Sequence, residues 1–204
     1  MELQHPLAVV TPGVDGQVLY ALASTDSGFT VPQLVTVIED RSAAGIRRSL
    51  ERLTDQGIVI RQVIGRTQLF SLNDDHLAAG AVRELAALRS QFLARLRATV
   101  ADWPHPPVYA AIYGSAARGD MRWDSDIDLL LIRPDDAGDE EWTARLAELT
   151  SAVTRWTGND ARIVDMDADE ASARHDTAFV HNIVRDAVVF AGRDDWLERA
   201  GQGA

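Results

Sequence analysis

Ser115 and the carboxylate pair Asp126 and Asp128 are the residues of this 204-residue chain whose types and spacing could do chemistry. Gly114-Ser115 closes a short apolar run from Val108 to Tyr113 and continues as Ala116-Ala117-Arg118-Gly119. Ten residues, 116 to 125, separate Ser115 from Asp126, which opens a second apolar run, Ile127 to Ile132. Both runs read as buried strands. Side chains two apart on a strand share a face, so Asp126 and Asp128 could hold one divalent cation between them or bridge two. Without a cation, like charges this close repel and raise one carboxyl pKa, a balance that Mg2+ reverses.

This spaced pattern, Gly114-Ser115, Arg118-Gly119 and Ser125-Asp126-Ile127-Asp128-Leu129, resembles the signature of the polymerase-beta-type nucleotidyltransferase superfamily, in particular its minimal bacterial members. The resemblance spans about residues 107–192. It implies a small α/β domain with a mixed sheet, Mg2+ as cofactor and a nucleoside triphosphate as substrate. The implied reaction moves a nucleoside monophosphate to an acceptor and releases pyrophosphate. Gly114 would let the backbone approach the triphosphate, and the N–H and hydroxyl of Ser115 would bind phosphate oxygens. Arg118 is read either as a phosphate contact or as a surface partner of Asp120. Asp126 and Asp128 would coordinate Mg2+, and the catalytic carboxylates would be Asp126, Asp128 and Asp165. A strand at residues 161–166 places Arg162 where such domains carry their third acid, with Asp165 on the opposite face and Asp160 just before it. A slip of one residue turns every side chain over and brings Asp165 round, so both registers stand. Trp123, between the two motif halves, is the tryptophan placed to touch a base. Some minimal transferases of this type resemble antitoxins that modify a partner protein.

Elements upstream of the motif must position it or add a second role. Val18, Leu19 and Leu22 mark a first helix, and Thr30-Val31-Pro32 opens a second that carries Leu34, Val35 and Ile38. Ser42 caps a third helix, with Ile46, Leu50 and Leu53 on one face, Arg47, Arg48 and Arg52 on the other, and Gly57 past its end. Two strand-like runs, Ile58 to Gln62 and Gln68 to Leu72, flank a tip at Gly65-Arg66. Residues 12–72 thereby resemble a winged helix-turn-helix domain, which implies double-stranded DNA as a partner through Arg41, Ser42, Arg47, Arg48 and Arg66. A solvated basic face is the plainer alternative for these arginines.

Asn73-Asp74-Asp75 caps an expected long helix from about His76 to Val100, with an apolar stripe of Leu77, Leu85, Leu88, Phe92 and Leu96. It serves as a connector or, alternatively, as the seam of a homodimer. Three prolines between Asp102 and Pro107 end it. The expected fold class is therefore α+β: a winged helix-turn-helix at 1–75, a connecting helix at 76–101 and a nucleotidyltransferase domain at 102–204.

Composition narrows the function classes. The net charge is −11, and residues 73–204 hold 14 Arg against 24 acids, while residues 1–72 hold 6 Arg against 7 acids. An acidic chain does not bind nucleic acid over its whole surface, so DNA contact is confined to the N-terminal part. All 20 basic residues are Arg, which removes Schiff-base chemistry and the P-loop lysine. The chain has no cysteine, no secretory leader pattern and no membrane-length apolar run, so a cytoplasmic protein without membrane contact is expected. Two functions fit: a Mg2+-dependent nucleotidyltransferase coupled to a DNA-binding winged helix, or a transcriptional regulator whose degenerate transferase domain senses nucleotide or is inactive.

Overall fold

The computed structural model describes residues 1–38, 41–174 and 177–200, so residues 201–204 of the expected C-terminal domain lie outside it. Contacts divide the chain into two units, one formed by Glu2 and Gln4–Arg89, the other by Met1, Leu3 and Ser90–Ala204. No helix among the described residues is long and apolar enough to cross a membrane.

In the first unit, a 3-10 turn at Pro6–Val9 precedes α1 (Val14–Ala23), α2 (Val31–Val37) and α3 (Ala43–Asp55). The α2 start is fixed by a capping box. Thr30 N–H donates to Gln33 Oε1 at 2.8 Å, and Thr30 Oγ1 accepts from Gln33 N–H at 3.4 Å. Ser42 Oγ accepts from Gly45 N–H at 3.1 Å and starts α3, whose Ile46, Leu50 and Leu53 are buried with Val18, Leu22 and Leu34. The antiparallel hairpin β1 (Val59–Ile64) and β2 (Thr67–Leu72) turns at Gly65, whose φ of 63° a side chain would resist. Phe70 is anchored to Phe29 by a bridge, while most of β1 is exposed.

The expected single helix over 76–100 is corrected to two, α4 (Ala79–Ala86) and α5 (Leu88–Ala101), with Ala87 between them at φ −83°, ψ 0°. The stripe is continuous in sequence, but its halves serve different cores. Val82, Leu85 and Ala86 pack with the core of the first unit, and Phe92, Leu96 and Val100 with that of the second. Leu77, expected to begin the stripe, lies ahead of α4 and is fully exposed.

The second unit is built on a mixed four-stranded sheet in the order β5-β4-β3-β6, from β3 (Tyr109–Tyr113), β4 (Ile127–Ile132), β5 (Ala161–Met166) and β6 (Val188–Gly192). β3 runs antiparallel to β4 and β6. The β4–β5 pair is parallel and is joined through α7 (Asp139–Thr157), as a parallel connection requires. Strand alternation sorts the core. Ala110, Ile112, Ile127, Leu129 and Leu131 face one layer with Phe92, Leu96, Trp142, Leu149 and Val153. Tyr109, Ala111, Leu130, Ile132 and Met166 face the other, with Ala171 of α8 (Ala168–Ala173), Ile183 of α9 (Ala178–Asp186) and Leu197 of α10 (Trp196–Ala200). β4 is thus covered on both faces, which explains why every residue in it but Asp128 is apolar.

Candidate functional site

The site gathers where β3 ends and β4 begins. In the antiparallel register Tyr113 stands opposite Asp128, and the next residue, Gly114, starts the five-residue α6 (Gly114–Arg118). Gly114 has φ 69°, which side chains resist, and a Cβ placed on it would lie 2.7 Å from Asp128 Oδ2 and displace that carboxylate. The Ser115 carbonyl accepts from Gly119 N–H at 3.0 Å and Asp120 N–H at 3.1 Å, which ends α6 on the left-handed Gly119. Arg118 Nε donates to Asp120 Oδ2 at 3.1 Å, and its Nη1 lies 3.7 Å from Asp186 at the end of α9.

Asp126 precedes β4 and Asp128 lies within it, two residues apart. Burial first, and then the Asp126 carboxylate, raise the Asp128 carboxyl above its ordinary value, while Arg162 and Arg118 pull it down. Burial and the Asp128 charge likewise raise the Tyr113 phenol, with Arg162 opposing. Two acids and a phenol thus share one spot, with Arg162 and Arg118 as the nearby positive charges. Among the described residues no group of three or more His, Asp or Glu is arranged to hold a metal ion.

Arg162 stands at the third position. Its Cα is level with that of Asp128 in the parallel register, and its Nη2 lies 2.8 Å from Asp126 Oδ2. Asp165, the expected third catalytic carboxylate, is not brought to the pair. The strand starts at Ala161 rather than one residue on, so Asp165 turns to the α7 side, where Trp142 Nε1 donates to its Oδ2 at 3.3 Å. The slipped register is therefore corrected in favour of Arg162.

One residue of the neighbourhood gave no signal in the sequence. Asn159 is buried at the turn before β5, and its Nδ2 donates to the Ser125 carbonyl at 2.8 Å and the Trp123 carbonyl at 3.4 Å. Ile127 N–H donates to the Asp160 carbonyl at 2.8 Å. Together these bonds hold the segment that carries Asp126 against the start of β5. Trp123 itself is exposed.

In the other unit, Arg47, Arg48 and Arg66 are exposed, and Arg47 and Arg66 make no ion pair among the described residues. Arg41 Nε donates to Gln17 Oε1 at 2.7 Å, and Ser42 is occupied as the α3 cap. Arg52 of the basic face pairs instead with Asp15, which also accepts from Ser49 Oγ at 2.6 Å.

Residues 104–195 match the family Polymerase beta, Nucleotidyltransferase, so this part of the chain carries a domain of nucleotidyltransferase type; the match spans less than half of the chain. Among solved structures, a toxin–antitoxin complex with AMP-PNP is similar at 17% identity and a TM-score of 0.40, covering 54% of this chain and 81% of the other. The toxin–antitoxin MntA-HepT is similar at 15% identity and a TM-score of 0.36, covering 54% and 82%. No curated protein matches the chain.

Gly114→Ala separates the two demands on this glycine, because Gly158 has a similar φ of 74° with nothing within 4 Å of an added Cβ. Gly114→Ala and Gly158→Ala are each expected to lose about 1–2 kcal/mol of stability from left-handed strain. Gly114→Ala should lose more, by pushing on Asp128, and it alone should impair nucleotide binding. Urea unfolding and calorimetry of both variants check this.

Proposed function

We propose that the C-terminal unit is a nucleotidyltransferase that takes a nucleoside triphosphate with Mg2+ and passes the nucleoside monophosphate to an acceptor. The observation that carries the reading is Asp126 just ahead of β4, two residues from Asp128 within it, with Gly114 so close that a Cβ on it would lie 2.7 Å from Asp128 Oδ2. The donor set fits the cation. Mg2+ is commonly held by one or two carboxylates, with phosphate oxygens and water completing its shell, and Asp126 and Asp128 are two such carboxylates, whose one close guanidinium, Arg162, is exposed and exchangeable. When bound, the cation supplies charge neutralisation at the phosphates and activation of the attacking hydroxyl. The chain's own residues do the rest. Gly114 admits the phosphates close to the backbone, and Ser115 offers them its N–H and hydroxyl. Asn159 fixes Asp126 in place, so the work is positioning plus preorganised charge. Arg118 exchanges Asp120 for a phosphate oxygen when the site is filled. Asp165 has no part in it.

The first unit is proposed as a winged helix-turn-helix that docks on double-stranded DNA, with α3 in the major groove. The exposed Arg47 and Arg48 would contact the DNA, its phosphates included, with Arg41 and Arg66 near further phosphates. Ser42 serves by shaping the α3 start. A second reading, a DNA-binding regulator whose transferase domain senses nucleotide without turnover, is favoured by the Arg162–Asp126 pair, which sets a cation where a third acid would stand.

Calorimetric titration of ATP, GTP, CTP and UTP with Mg2+ and with EDTA tests the site. One triphosphate or more should bind only with Mg2+, and Asp126→Ala and Asp128→Ala should each abolish that binding while leaving the thermal transition in place. Binding that survives both substitutions contradicts the proposed site. For the first unit, Arg47→Ala with Arg48→Ala should lower duplex affinity and reduce the slope of log affinity against log salt by about 2, close to one unit per lost phosphate contact. An unchanged slope removes α3 from the DNA interface.

A further inference from the structure

Two carboxylates, one guanidinium and one divalent cation leave a single positive charge, the same balance that three carboxylates reach with two divalent cations. Arg162 stands where that arithmetic needs it. Its Cα is level with Asp128, its guanidinium is 2.8 Å from Asp126, and its charge is felt by Asp128 and Tyr113. Its side chain is 70% exposed, so the ion pair with Asp126 is screened by water and can be exchanged at little cost. A guanidinium is a planar fork of donors suited to phosphate oxygens as well as to carboxylates.

We propose that Arg162 is a built-in substitute for a second metal ion. In the empty site it neutralises Asp126. When the triphosphate enters with a single divalent cation, Asp126 turns to the cation and the guanidinium turns to the phosphates. The inference rests on the nucleotide site proposed above and names Arg162 as the second positive charge of that site. It makes a distinctive demand. Removing the charge must help the bare cation, which no longer competes for Asp126, and must harm the cation–triphosphate complex, which loses a phosphate partner. A purely structural role moves both affinities the same way, and a purely obstructive role improves both.

The test uses the full chain with Mn2+ alone, followed by electron paramagnetic resonance, and with inorganic tripolyphosphate in the presence of saturating Mn2+, followed by calorimetry. Tripolyphosphate carries the chain of phosphates without a base. Arg162→Gln should bind Mn2+ at least fivefold more tightly than the wild-type protein and tripolyphosphate at least fivefold more weakly. Arg162→Lys, which retains the charge without the fork, should stay within about twofold of wild type for Mn2+ and lose less tripolyphosphate affinity than Arg162→Gln. Affinities that shift in the same direction in Arg162→Gln, or do not shift, overturn the proposal, as does an Arg162→Lys variant that behaves like Arg162→Gln. A wild-type protein that binds neither probe, with Asp126→Ala no different, is a separate outcome: it removes the nucleotide site and this inference with it.

Discussion

The second unit depends on keeping two carboxylates, Asp126 and Asp128, side by side at the end of a strand that is otherwise buried on both faces. Apolar burial of β4 between two layers fixes where its backbone runs, and an aspartate in that run keeps its charge only if something answers it. The surroundings are arranged around that need. Gly114 brings backbone against Asp128 without a side chain between them, Asn159 ties down the segment leading to Asp126, and Arg162 reaches across from the neighbouring strand. None of these groups is adjacent in sequence to all the others. The order β5-β4-β3-β6 brings them together, because placing β4 between β3 and β5 sets the Gly114 turn on one side of the aspartates and Arg162 on the other.

The charge at this spot explains why the third position matters so much. A carboxylate there deepens the negative well and calls for more metal. A guanidinium fills part of it and leaves room for less. On the proposed reading, the pair formed by Arg162 and Asp126 sets how much outside charge the site accepts, while the half-buried Asp128 sets where that charge sits.

Much of this arrangement was legible in the sequence, for definite reasons. The strands at 109–113, 127–132 and 161–166 are short runs bounded by glycine, aspartate or asparagine, and alternation offered Arg162 beside Asp128, but a slip of one residue kept Asp165 in play until the β4–β5 register excluded it. The α2 and α3 starts followed from Thr30 and Ser42 as caps. What was not legible depends on distant partners. Asn159 looks like a turn residue until the carbonyls of Ser125 and Trp123 are found within its reach. Arg52 belongs to a basic helix face by periodicity, yet Asp15 of α1 claims it. The break at Ala87 lacks any glycine or proline, because it arises from two cores drawing on one apolar stripe. Short helices such as α8 and α10, with too few residues to show a period, left no pattern to read.

The most direct test of the central claim is a crystal of the protein grown with Mn2+ and a non-hydrolysable nucleoside triphosphate, with anomalous scattering measured at the manganese edge. The account predicts a manganese peak coordinated by both Asp126 and Asp128, with the triphosphate over the Gly114-Ser115 turn. A peak bound instead by Asp160 or Asp165, or a triphosphate seated away from Gly114, would contradict it.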